Sequence, residues 1–391
     1  MANDLTLGQL STVMNNVFHQ ATGQSAQAIV DTSSFVSVGQ AALKTGYDPL
    51  IQSISQVLGQ TMFSIRPYSR KFQGLKVTNQ QFGNWQRKIH PVDSDMQDDE
   101  SLPLTQGGSV DMYKVNKPGA VQMNFYGAQK YEKYLTFFKD QLDTAFSSVD
   151  DFGRFVSMYT LDSMNVIEQC HESIARATIA NYIAGKTLST DAANSVIHLL
   201  TEYNALTGLT LTATTVYLPA NYKPFMQWVY SRIASLSSLL TERTTLYHTN
   251  LTGKAIPKHT PMANQKVFLY APIKYGTESM VLADTFHENY LKFAAQETVN
   301  FWQSIETPDS INVKPVYLNA DGTLTNSTTA VEVSEIFGAI IDEEAVGYTV
   351  VNQWASATAM NAAGGYFNQY YHFTDRYLND FLENGIILLL N

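Results

Sequence analysis

The sequence predicts a mixed α+β protein built around one long helix, with an extended two-stranded excursion before it and an apolar strand at its end. Three observations carry this. Apolar residues recur at three- and four-residue steps over more than thirty residues after Ser148. A stretch from Arg66 to Asp111 is divided by charge and is too thin in apolar residues to form a core. The chain closes on the apolar run Ile386 to Leu390. With 391 residues there is enough chain for one large or two medium units.

The first 46 residues hold few charges and many Ser, Gln, Asn, Ala and Thr. They read as an arm that orders on neighbouring subunits. Asp48 and Pro49 then form a helix start, as N-cap and first helical residue. Leu50, Ile51, Ile54, Val57 and Leu58 follow on one face.

Between Arg66 and His90 lie six basic residues (Arg66, Arg70, Lys71, Lys76, Arg87, Lys88) and no acid. Between Pro91 and Asp111 lie six acids (Asp93, Asp95, Asp98, Asp99, Glu100, Asp111) and no Lys or Arg. This predicts a two-stranded excursion, basic on one limb and acidic on the other. A lone hairpin is marginal in water. Laid over an identical neighbour, the basic limb meets the next copy's acids, a head-to-tail contact that builds rings and shells. The expected contact residues are Arg70, Lys71, Arg87 and Lys88 against Asp95, Asp98, Asp99 and Glu100.

Val121 to Tyr134 alternates aromatic and polar residues and is expected to re-enter a core sheet. Ser148-Val-Asp-Asp151 is a helix-start signature, and the helical pattern runs to Gly185. Beyond it we expect a strand at 210–218, an amphipathic helix at 222–241, and buried strands at 266–270 and 331–341. Asp342-Glu-Glu344 is read as a solvated turn and 345–351 as a possible partner strand. The aromatic and then aliphatic stretch from Gly364 ends in a strand tied into the core.

Composition narrows the function. Charged residues make up 15%, against about 25% in an average globular protein, and aromatics make up 12%. Much surface is therefore expected to be covered by partner subunits. The net charge of −10 argues against a dedicated nucleic-acid binder, but suits a wall that encloses DNA without gripping it. The lone Cys170 forbids an intrachain disulfide and reads as a buried structural thiol. The start lacks the basic and apolar regions of a signal peptide, and no apolar run is long enough to span a membrane. No phosphate loop, zinc motif or nucleophile elbow is present, so no catalytic, cofactor-binding or metal residue is assigned. His248, His259 and His287 lack metal-ligand spacing, and the adjacent acids 342–344 do not make a glycosidase pair.

Charged excursion, long helix, α/β middle and returning C-terminal strand resemble, in that order, the Hong Kong 97-like major capsid fold of tailed bacteriophages. Gly364-Gly-Tyr-Phe-Asn-Gln-Tyr-Tyr-His-Phe373, preceded by Ile341-Asp-Glu-Glu344, looks like the aromatic segment of the phi29-type group of short-tailed podophages. Arg70-Lys-Phe-Gln-Gly74 resembles the start of that group's extended loop, and Ser148 to Tyr182 resembles its spine helix. The resemblance implies an N-terminal arm and helix at 1–63 and an extended β-hairpin loop at 64–125. A peripheral domain at 126–199 plus 356–391, with its spine helix at about 148–185, and an axial domain at 200–355 complete it. The chain stops after the Leu-rich strand, so the immunoglobulin-like domain of some relatives is not expected. The function implied is self-assembly, as hexamers and pentamers, into an icosahedral head shell. That shell would enclose double-stranded DNA without sequence-specific binding, in a virion assembled in the host bacterial cytoplasm. Portal, scaffold and head-fibre or decoration proteins are the further partners implied. The alternatives are a carbohydrate-active enzyme or lectin, motivated by 22 Tyr and 20 Phe, or a cellular nanocompartment shell of the same fold.

Overall fold

The computed structural model describes residues 72, 75, 85–92, 104–113, 115, 117–126, 129–141, 149–282 and 296–391. The arm, the helix expected after Asp48 and the acids from Asp93 to Glu100 lie outside the described residues.

The excursion begins as an antiparallel hairpin, β1 (Trp85–Val92) with β2 (Gly119–Tyr126), in register from Trp85↔Tyr126 to Val92↔Gly119. Alternation puts Val121, Met123 and Phe125 of β2 against the body, while Arg87 and Ile89 of β1 stay exposed. One expectation changes here: the limb opposite basic β1 is not acidic, since β2 carries no charged side chain. Burying three apolar side chains outweighs exposed ion pairs, which contribute about 0–1 kcal/mol each. The apolar alternation therefore selects the return strand.

The predicted long helix is α1 (Val149–Leu188), whose 40 residues make a rod of about 60 Å. Ala175, Ile179, Tyr182 and Ile183, on one face, reach the core.

That core surrounds a five-stranded sheet ordered β4-β14-β11-β5-β6. Its strands are β4 (Val196–His198), β5 (Gln265–Tyr270), β6 (Gln296–Val299), β11 (Ile336–Asp342) and β14 (Gly385–Leu389). Both faces are covered. Ile387, Leu389, Ala339, Ile341 and Phe268 face α1, whereas Ile386, Leu388, Phe337, Ile340, Val267 and Leu269 face two other helices. These are α2 (Leu199–Thr207) and α3 (Pro219–Leu239), which supply Leu200, Tyr203, Phe225, Val229 and Ile233. Strands buried on both faces read as continuous apolar runs, as Gly-Ile-Ile-Leu-Leu does. A β-bulge between Ile336 and Gly338 shifts the register, so that Phe337 and Ile340 share a face. Glycine is required there, because a Cβ on Gly338 would lie 2.6 Å from the Phe268 carbonyl oxygen. The predicted strand over 331–341 is in fact two, β10 (Val331–Val333) and β11, separated at Glu335, whose φ is 58°. Helix α4 (Ala271–Leu282) and the two-stranded pairs of β7 (Ile311–Val313) with β10, and β8 (Val316–Leu318) with β9 (Leu324–Asn326), complete the unit.

A second sheet, ordered β12-β13-β3, joins β12 (Val346–Ala357), β13 (Tyr366–Asn379) and β3 (Gln129–Phe138). The strand after the acidic turn therefore pairs with β13 and not with β11. The Val121–Tyr134 stretch is likewise split between the hairpin and this sheet. No strand forms over 210–218; the segment holds one short 3₁₀ turn, Thr215–Tyr217. Asn204 brackets Leu211 through both its amide atoms, and Thr212 and Thr215 bond each other's backbone. Such local side-chain bonds compete with a ladder. Pro219 then starts α3.

Candidate functional site

Of the expected contact residues, Arg87 and Lys88 are described; Arg70, Lys71, Asp95, Asp98, Asp99 and Glu100 lie outside the described residues. Side-chain alternation sends the two described ones to opposite faces of β1. Arg87 is on the exposed face, while Lys88 turns toward the body. Its Nζ lies 2.8 Å from Glu383, 3.1 Å from Asp380 and 3.0 Å from Glu344. The structure thus gives Lys88 three carboxylates of its own chain.

His90, two residues on and fully buried, shares that face. Its Nε2 lies 3.0 Å from Asp380, and its Nδ1 accepts a hydrogen bond from Lys258 Nζ at 2.9 Å. Lys258 also donates to Glu383 at 2.8 Å. Asp380 and Glu383 sit in the turn between β13 and β14, where the two sheets join, so this network fastens the hairpin stem to the junction of the body. Burial alone would raise the Asp380 carboxyl, but His90 and Lys88 win and hold it below the usual carboxylate range. Burial likewise works to lower Lys88, and Asp380 and Glu383 outweigh it, holding the ammonium above its ordinary value.

Beyond the stem the hairpin carries an exposed apolar segment: Met112 is 81% and Tyr113 82% exposed, with Leu104, Val110 and Val115 also exposed. A turn closed by Gly108 N–H to Thr105 carbonyl at 2.9 Å, with Gly107 at φ 90°, shapes it. The stem is thus locked to the body by charge, while the described residues near the loop end leave their apolar side chains exposed.

The family description "Phi29-like phage major capsid protein" matches residues 14–389. The chain belongs to that family. The capsid chain is also similar in fold to solved phage structures. One is a chain of the capsid structure of Staphylococcus phage Andhra, at 13% identity and TM-score 0.55, covering 82% of this chain and 84% of that one. Another is a chain in the structure of head fiber and inner core protein gp22 of native bacteriophage P68, at 11% identity and TM-score 0.53, covering 82% and 85%. No curated protein matches. The family assigns the shell role and a place in the virion capsid, and supports none of the alternatives.

Several other titratable groups of the capsid chain, among the described residues, are engaged within the chain. His90, Asp380 and Glu383 are close enough together to be considered as metal ligands. The ammonium groups of Lys88 and Lys258 already stand against those carboxylates and the imidazole, so a divalent ion would have to displace them. An internal charge lock is the better fit. The acidic turn, expected to be solvated, is so only in part: Glu343 and Glu344 are exposed, with Glu343 accepting from Asn264, whereas Asp342 is buried and accepts from Thr260 Oγ1 at 2.6 Å. His248 is buried with Nδ1 3.1 Å from Asn384 Oδ1, and burial lowers its pKa. Cys170 is half-buried, not fully buried, with its thiol pushed up by burial and then by Asp375. Among the described residues no helix is long and apolar enough to cross a membrane.

Nothing in the residue pattern singles out Lys258, Asp380 or Glu383. Only the two-residue spacing of Lys88 and His90 marked them as sharing a face.

Proposed function

We propose that this capsid protein self-assembles through its extended loop, as hexamers and pentamers, into an icosahedral shell and has no catalytic activity. The observation that carries this reading is the hairpin itself, its stem fixed by buried charges and its far end apolar and exposed. Lys88 stays with its own chain, so the intersubunit ion pairs are formed by Arg70, Lys71 and Arg87 against Asp95, Asp98, Asp99 and Glu100 of a neighbour. DNA is enclosed without sequence-specific contacts, consistent with a net charge of −10. Portal, scaffold and head-fibre or decoration proteins join the shell in the host cytoplasm.

The proposed domain plan keeps the arm and helix at 1–63, the loop at 64–125, the peripheral domain at 126–199 plus 356–391 and the axial domain at 200–355. Sheet membership favours two adjustments. Val346–Ala357 pairs within the sheet of β3 and β13, and Gly385–Leu389 lies in the five-stranded sheet.

Reversing charge on the acidic run tests the interface. An Asp98→Lys/Asp99→Lys variant is expected to fold with an unchanged circular dichroism spectrum and to lose shells in sedimentation. Wild-type amounts of shell from this variant would remove the ion-pair interface.

A further inference from the structure

An imidazole sits at the centre of the buried stem network, and its protonation state follows from its partners. An ammonium only donates, so the 2.9 Å contact from Lys258 Nζ requires a bare lone pair on His90 Nδ1. The single ring proton then lies on Nε2, 3.0 Å from Asp380. His90 therefore stands neutral among two cations, Lys88 and Lys258, and two carboxylates, Asp380 and Glu383. Lys258 ties the stem to another part of the body. Its backbone exchanges both hydrogen bonds with Thr244, and its ammonium bridges His90 and Glu383. Beside it lies a cavity of about 430 Å³, lined by Arg243, Pro257, His259, Asp342 and Glu344 among others. Two further groups act on Asp380 from α1, Lys186 and the hydroxyl of Tyr182.

We propose that His90 is a proton switch in the hairpin stem: the neutral ring braces the stem to the segment carrying Lys258, and a second ring proton expels Lys258. The switch is a property of the single chain and does not depend on the shell reading. The proton comes from solvent and goes to Nδ1, the atom that now accepts from Lys258. A protonated Nδ1 cannot accept, so that hydrogen bond is lost and two like charges face each other. The new N–H turns instead to Glu383 Oε1, 3.6 Å away, which already takes Lys88 and Lys258 at 2.8 Å each. Three cations then share two buried carboxylates, because Glu344 is exposed. A buried excess of charge is relieved by moving one cation to water. Lys88 keeps Asp380, Glu383 and Glu344, whereas Lys258 has only Glu383 as a carboxylate partner and the cavity as a way out. Imidazoles suit a change of charge between about pH 5 and 8. Asp380, held ionised by His90 and Lys88, takes up its proton below that range. Mild acid therefore cuts one of the stem's two ties while the body keeps its fold.

Hydrogen exchange read by mass spectrometry on the full chain, at pH values either side of neutral-to-mild acid, tests the switch. After correction for the intrinsic pH dependence of exchange, the amides of Trp85–Val92 and of 254–260 are expected to exchange about fivefold faster in mild acid. The circular dichroism spectrum should not change. His90→Gln keeps an acceptor for Lys258 and a donor for Asp380 but cannot titrate, so its exchange should be slow at both pH values. Lys258→Met serves if that variant misfolds: it lacks the brace from the start and should exchange fast at both. A wild-type chain without the acid step overturns the proposal, as does a step of wild-type size in either variant. A purely structural His90 gives that second result, since Gln would then shift exchange equally at both pH values and leave the step in place.

Discussion

Lys88 and His90 reach Asp380 and Glu383 because residues two apart on a strand point the same way. Their burial makes each partner expensive to lose. Replacing Lys88 with Met leaves Asp380 and Glu383 short of positive charge in a buried site, and is expected to cost about 3 kcal/mol of stability, measured by urea unfolding. The remaining Lys258 contact keeps the loss at the lower end of the range for broken buried pairs. A change below about 0.5 kcal/mol would mean that the network is solvated. The same side chains set an acid limit. Burial opposes ionisation of Asp191, yet Lys186 at 2.7 Å and the hydroxyls of Ser189 and Ser195 hold it, like Asp380, below the ordinary carboxylate value. A depressed carboxyl contributes stability that is present above its unfolded pKa and is lost as the pH falls through its folded one. Asp342, raised chiefly by burial, works the other way and offsets part of the loss. Stability is therefore expected to hold down to about pH 5 and to fall below about pH 4, where these carboxylates take up protons. In Lys88→Met the acid decline should be shallower, and urea midpoints at several pH values would record this.

At the scale of elements, the bulge in β11 sets which side chains face which helix. Gly338→Ala places a methyl against the Phe268 carbonyl, and is expected to cost about 1–3 kcal/mol in thermal or urea unfolding. A neutral result would mean that the bulge relaxes freely. Ile387→Ala, in the two-face-buried C-terminal strand, is expected to cost about 2–5 kcal/mol. The elements with strong periodicity were readable from residues alone: α1 from its three- and four-residue steps, α3 from Phe225 to Leu236, and β14 from its unbroken aliphatic run. What escaped reading depended on partners distant in sequence. Thr210–Leu218 has strand composition, but Asn204 and its own threonines turn it into a loop. Val346–Ala357 follows β11 directly, yet pairs with the aromatic strand beyond it. The return limb of the hairpin follows the apolar alternation of Val121, Met123 and Phe125 and not the charge division of 66–111. The lock at the stem was illegible for the same reason: Lys88, Lys258 and Glu383 meet only after two sheets have formed.

At the scale of the whole molecule, a chain with 15% charged residues leaves large apolar side chains exposed among its described residues, Met112 and Tyr113 of the hairpin foremost. A monomer gains nothing from exposed apolar side chains, whereas the proposed shell would cover such surface repeatedly, so that individually weak contacts suffice. The most direct test is negative-stain electron microscopy of the protein expressed alone and together with the proteins encoded beside it. Closed shells, or rings of five and six subunits, are the predicted result; discrete monomers or dimers under both conditions would contradict self-assembly.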